Sequence, residues 1–178
     1  MYLISLYFDH KTDDIINKHI NDISKITHNM FMIDHQVPAH LTLLAFDCKK
    51  EDEVIHTLQQ YFKDITQFPI DFMSAGYFPS VLYLSPILNY NLQHHLINIY
   101  NILKNIDTIS FSNKYLPYQY MPHTTLAKTL TKEQLIKGNE YLIHHFTPIK
   151  GSIHKIALSK TNPYTDLLIY NIKEHQLK

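Results

Sequence analysis

The chain has 178 residues and a mass of 21.0 kDa, enough for one domain or for two small lobes sharing a core. Sixteen Lys balance sixteen acidic residues, so the net charge is +0 and the pI is near 7.2. That balance argues against a protein that holds long duplex nucleic acid by bulk charge. With 45% hydrophobic residues, the chain reads as globular rather than disordered.

Residue scarcity excludes further classes. Gly76, Gly138 and Gly151 are the only glycines, so neither a dinucleotide fingerprint nor a P-loop can be written. Cys48 is the only cysteine; it cannot form an internal disulfide or a Cys-rich zinc site, and it suits a reducing cytoplasm. There is no Arg, hence no bidentate guanidinium clamp for a phosphate. The opening Met-Tyr-Leu-Ile-Ser-Leu-Tyr-Phe-Asp lacks the basic start of a signal peptide. No apolar run approaches the roughly 18 residues of a membrane span, so no membrane association is expected.

In chain order, Tyr2–Phe8 is apolar and β-prone and reads as a strand. Thr12 is placed as the cap of a helix from about 12 to 28, with Ile16, Ile20 and Ile23 at helical spacing. Asn29–Ala39 reads as a loop and His40–Phe46 as a strand. Lys50–Phe62 is helical, with Glu51, Asp52 and Glu53 in its first turn, where the macrodipole favours acids. Strands follow at Phe68–Tyr77 and Val81–Ser85, then a helix from about 90 to 104 carrying Leu92, Leu96, Ile99 and Leu103. Ile106–Met121 is a Tyr-rich loop and His123–Thr129 a strand. Thr131-x-x-Gln134 is a capping-box pattern opening a helix to about 145. Ile149–Ser159 and Asp166–Ile172 complete the strands, separated by a turn at Asn162-Pro163.

The two halves match. Each runs strand, helix, loop, His-x-Thr-Leu strand, helix, strand. His40-Leu-Thr-Leu corresponds to His123-Thr-Thr-Leu, with Pro38 and Pro122 just upstream. Phe68-Pro-Ile corresponds to Phe146-Thr-Pro-Ile; Pro69 lies 29 residues past His40, and Pro148 lies 25 past His123. Matched motifs at near-equal offsets indicate an internal duplication. The expected architecture is a single domain over 1–178, with lobes built mainly from about 1–78 and 79–178 and strand exchange between them allowed.

In a strand, residues i and i+2 share a face, roughly 6–7 Å apart. His40 then projects with Thr42, and His123 with Thr125, while Leu41, Leu43 and Leu126 point into the cores. Across a pseudo-twofold, two imidazoles would flank a space lined by two hydroxyls. Such a set suits phosphoryl transfer: one imidazole takes a proton, the other gives one, and the hydroxyls donate to non-bridging oxygens. No metal or other cofactor is needed.

The paired motifs His40-Leu-Thr-Leu and His123-Thr-Thr-Leu resemble those of the two-histidine phosphoesterase superfamily. Its members include the bacterial RNA ligase of the LigT type and the cyclic nucleotide phosphodiesterases. The resemblance implies an α+β fold with two pseudo-symmetric lobes, each an antiparallel sheet with helices packed outside, lining a V-shaped cleft. It implies His40 and His123 as catalytic residues, with Thr42 and Thr125 binding substrate. The implied activity is metal-independent action on 2′,3′-cyclic phosphates or 2′-5′ linkages of RNA ends or nucleotides. Several relatives carry Arg shortly after the second motif, where this chain has Lys128. Strict alternation points Lys128 away from the His123 face, although its charge makes it a candidate substrate contact.

Base recognition is expected from the loops before each motif strand, through Phe31 in the first and Tyr115, Tyr118 and Tyr120 in the second, since aromatic faces stack on bases. The expected partner is an RNA end or a small cyclic nucleotide, bound by a monomer. Two other classes compete. Thirteen His suggest metal binding, but His94-His95 and His144-His145 are helical neighbours diverging by about 100°, and no His-Glu-x-x-His occurs. The alternative is a non-catalytic RNA- or nucleotide-binding module on the same fold, against which both intact motifs weigh.

Overall fold

A computed structural model describes residues 1–174. The order is β1 (Tyr2–Phe8), α1 (His10–Thr27), α2 (Phe31–Asp34), β2 (Leu41–Asp47), α3 (Glu51–Phe62), β3 (Phe68–Phe78) and β4 (Val81–Pro86). It continues with α4 (Tyr90–Leu103), β5 (Ser110–Phe111), a 3-10 turn (Asn113–Tyr115), β6 (Thr124–Lys128), α5 (Lys132–His145), β7 (Ile149–Lys160) and β8 (Thr165–Asn171). The fold is α+β, and all ladders between these strands are antiparallel.

The strands run β5-β2-β1-β7-β3-β4-β6, with β8 also paired to β7. β7 is the connector. One edge carries β1; the other carries β3 along the first part of β7 and β8 along the second. The β3–β7 register is self-consistent under exchange of the halves. Ile70 pairs with Gly151, and Phe72 pairs with Ile149, on either side of the Asp71–Lys150 pair. Because Ile70 and Ile149 are the matched Pro-Ile positions, swapping β3 for β7 carries one pair into the other. A local twofold therefore passes through Asp71–Lys150.

The halves interleave around that axis. β3, from the first half, pairs with β4; β7, from the second, pairs with β1. Two helix pairs also draw one member from each half, α1 with α5 and α3 with α4, while the short α2 packs on α1 within the first half. Ile16, Ile20 and Ile23 on α1, and Leu92, Leu96, Ile99 and Leu103 on α4, are buried in one continuous core. Each such side chain contributes roughly 1.5–3 kcal/mol of burial.

Three local readings change. The cap of α1 is Asp9, not Thr12: the Asp9 carboxylate accepts from Thr12 N at 2.9 Å, and Thr12 is itself buried. The same carboxylate accepts from Thr12 Oγ1 (2.8 Å) and from Ser152 N (2.7 Å), which ties α1 to β7. The first loop contains the single turn α2, and the Tyr-rich loop contains β5 and the 3-10 turn. The Thr131–Gln134 capping box forms as expected.

Gly151 permits the approach of α1 to β7, since a Cβ there would collide with Thr12 Oγ1 and lie 3.0 Å from Thr12 Cβ. Thr12 is held by Asp9 and has little freedom to move. Gly151→Ala is expected to cost about 1–3 kcal/mol, the usual range for overpacking. Thermal melts should show the midpoint falling by roughly 2–4 °C per kcal/mol for a chain of this size. An unchanged midpoint would mean that Thr12 gives way freely.

Candidate active site

Each motif histidine is oriented by its own backbone. The chain enters both motif strands past a proline, and each imidazole turns back on the carbonyl two residues upstream. His40 Nδ1 lies 2.8 Å from Pro38 O, and His123 Nδ1 lies 2.9 Å from Met121 O. A carbonyl can only accept, so Nδ1 carries the hydrogen in both rings. That fixes the tautomer and leaves Nε2 as the titrating nitrogen. Identical local chemistry thus prepares two imidazoles in one way.

Both rings line a single cleft of about 380 Å³, together with Thr42, Thr125, Lys128 and Tyr115. Its apolar wall includes Leu3, Phe31 and Met32. The intervening Leu41, Leu43 and Leu126 are fully buried on the opposite face. The sheet therefore presents hydrocarbon to the core and the four motif side chains to the cleft.

Lys128 faces the cleft, contrary to strict alternation, and the cause is a β-bulge. On β4–β6, Leu82 pairs with Ala127 but Tyr83 pairs with Thr125, so Leu126 is the extra residue. One extra residue reverses the parity of the strand beyond it. Lys128 consequently comes round to the Thr125 side, with Nζ 4.6 Å from the centre of the Phe31 ring. The first motif carries the same irregularity: Ser5 pairs with Thr42 and Ile4 with Leu44, leaving Leu43 extra. The position matching Lys128 is then Ala45, which is buried, so the first motif supplies no matching cation.

The loop aromatics divide. Tyr115 lines the cleft with its ring 6.3 Å from that of His123. Tyr120 is buried and donates from Oη to Thr42 O at 2.8 Å, so it supports the motif strand and has no face free for a base. Tyr118 is 84% exposed and lies outside the cleft lining. Phe31 lines the cleft, but His35 stacks on it at 4.1 Å.

A polar cluster beside His40 carries no sequence signal, because β1, β7 and β8 bring it together. Tyr7 Oη donates to Asp166 at 2.8 Å and lies 2.9 Å from Tyr164 Oη. Ser159 Oγ donates to Asp166 at 2.6 Å. The Tyr164 ring lies 5.1 Å from that of His40. His123 sits instead among Phe78, Tyr83 and Tyr115, which offer no carboxylate.

Burial is the largest influence on both imidazoles and holds each below its ordinary pKa of 6.5. For His40, the bond to Pro38 and the nearby Asp166 charge oppose that shift, while Lys128 and His123 add to it. For His123, only the bond to Met121 opposes it, and Lys114 adds to it. Among the described residues, no group of three or more His, Cys, Asp or Glu is arranged to hold a metal ion.

The family model for the 2′-5′ RNA ligase superfamily matches residues 14–164. The chain belongs to that superfamily. Two solved structures share the fold of this superfamily member. The protein TT0787 of Thermus thermophilus superposes with a TM-score of 0.62 at 15% identity, covering 99% of this chain and 100% of that one. A phosphoesterase superposes with a TM-score of 0.50 at 15% identity, covering 97% and 98%. Among curated protein sequences, none matches the chain.

The electrostatics give a direct check. An NMR titration of the imidazole protons should place both His40 and His123 below 6.5. Asp166→Asn should lower the His40 value further and leave His123 in place, because the carboxylate favours only the His40 imidazolium. Equal movement of both rings would show that Asp166 acts through the fold instead of through its charge.

Proposed function

We propose that the protein is a metal-independent phosphoesterase acting on 2′,3′-cyclic phosphate or 2′-5′ phosphodiester bonds of RNA ends or nucleotides. The observation that supports this reading most is the pair of imidazoles in one cleft, each with Nδ1 bound to backbone and Nε2 left to titrate. In this reading the protein works as a monomer in the cytoplasm.

Hydrolysis of a 2′,3′-cyclic phosphate then proceeds in one displacement. A neutral imidazole takes a proton from water as the water oxygen bonds to phosphorus. The bond from phosphorus to one ribose oxygen breaks, and the protonated imidazole gives its proton to that oxygen. The product is a phosphate monoester, and the two rings exchange one proton with solvent before the next turnover. Thr42 and Thr125 donate to the non-bridging oxygens, where charge builds up, and Lys128 supplies a point charge to the same group. A 2′-5′ linkage is cleaved by the same two transfers, and reversal of the leaving-group step corresponds to ligation.

The test is turnover of 2′,3′-cyclic nucleotides with chelator present. His40→Ala and His123→Ala should each lower the rate by about 10²–10⁴, the usual worth of a positioned acid or base. Binding without turnover in the wild type would support the non-catalytic module instead, and loss of activity on chelation would support a metal enzyme.

The rate should also be bell-shaped in pH, because one ring must be neutral and the other protonated. Both rings are held below 6.5, so the bell should centre on the acid side of neutrality. A flat profile between about pH 5 and 9 would overturn the paired roles.

A further inference from the structure

A second cavity of about 550 Å³ adjoins the candidate cleft and holds no reacting group in the steps above, although Pro38 and Asp166 beside His40 form part of its lining. It is lined in part by Tyr7, Asp13, His154, Lys155, Asp166 and Ile169. Residues directly opposed across a ladder share a face of the sheet. Thr42 opposes Ser5, Ser5 opposes Ala157, and Ala157 opposes Ile169. One transverse row therefore runs across β2, β1, β7 and β8, from Thr42 in the first cavity to Ile169 in the second. The next row on that face pairs Tyr7 with Lys155, both lining the second cavity.

The wall between the cavities is thin. Tyr164 lines the first and Tyr7 the second, and their hydroxyls are 2.9 Å apart. Along the chain, Val37 and His40 line the first, while Pro38 and Ala39 between them line the second. The two hollows are successive stations on one sheet surface, with His40 at their border.

The lining of the second hollow offers three kinds of contact. Lys155 is exposed and makes no ion pair among the described residues; its charge reaches Asp13 across the same hollow and is open to an anion from solvent. Asp13 and Asp166 supply acceptors for hydroxyl or amino groups. Ile169 is 53% exposed, an apolar side chain held open on a surface where α3 covers the other side of β8. An anion site, carboxylate acceptors and an apolar platform together suit one nucleotide unit: phosphate, ribose or base edge, and base face.

We propose that this second cavity is a subsite for the next nucleotide along the strand, one unit before the nucleotide that bears the scissile phosphate, so that the preferred substrate is an oligoribonucleotide end and not a free mononucleotide. The proposal rests on the phosphoesterase reading of the first cleft. Lys155 holds the adjoining phosphate, and Ile169 supports the base.

The experiment compares a ribodinucleotide ending in a 3′-phosphate with the corresponding 3′-mononucleotide, by calorimetric binding to wild type, Lys155→Ala and Ile169→Asp. Both side chains are exposed, so neither variant disturbs the core. The wild type should bind the dinucleotide about ten-fold or more tightly than the mononucleotide, the scale of one charge-assisted contact. Each variant should lose that preference and keep its mononucleotide affinity. Equal affinities in the wild type, or equal weakening of both ligands in the variants, would overturn the subsite. A parallel measurement of kcat/KM on the 2′,3′-cyclic forms should show the same preference. Absence of turnover on every substrate would refute the phosphoesterase reading, while the binding comparison would still decide the subsite.

Discussion

The β3–β7 ladder is the constraint on which the remaining geometry depends. It is short, five residue pairs from Phe68–Ile153 to Phe72–Ile149, and it joins the closing strands of two duplicated halves about a local twofold. Each closing strand also pairs with the opening strand of the other half, and each opening strand carries a motif strand on its far edge. Antiparallel pairing leaves no freedom of register where one face is buried, since a one-residue slip would turn the apolar set toward solvent. The positions of His40 and His123 relative to each other thus follow from hydrogen bonds well away from either ring.

Duplication gives the site near-equality, and the differences between the halves give it direction. Both imidazoles are oriented by a carbonyl two residues upstream, and both motif strands bulge at the motif leucine. Past the bulge, one half has Lys128 and the other Ala45. Beside the rings, His40 has the Tyr7–Tyr164–Asp166 cluster and His123 has a ring of aromatic edges. A carboxylate near one ring and none near the other separates two otherwise matched groups. At His40 the Asp166 charge favours the imidazolium while burial, Lys128 and His123 disfavour it; at His123 burial and Lys114 act against the Met121 bond alone.

Much of this was legible without coordinates because it is local. Strand and helix periodicity, the capping box at Thr131 and the repeated His-x-Thr-Leu motif depend on residues within a few positions of each other. The pairing of Thr42 with His40 on one face follows from alternation alone. At the start of α1 the reading missed a local signal: Asp9, three residues before Thr12, accepts from the Thr12 backbone N–H and caps the helix. Elsewhere longer-range contacts were responsible. Alternation turned Lys128 away because a bulge is a property of two strands together. Tyr120 lies in the loop expected to stack on bases and is instead a buried support, since Thr42 O, seventy-eight residues away in sequence, accepts from its hydroxyl.

The α+β class came through the family resemblance of the two motifs. The amino-acid sequence on its own determined the pattern of strands and helices, the repeated motif with its four side chains and the function classes that three glycines and one cysteine exclude. Those follow from composition and short-range geometry. Only the tertiary structure decided that the halves interleave, that Lys128 and Tyr115 border the cleft while Tyr118 and Tyr120 do not, and that Asp166 stands near one imidazole. Each of those depends on which strands lie side by side and in what register. The apolar alternation restricts register within a pair, but several strands share that alternation, so the order of residues does not by itself say which strands become neighbours.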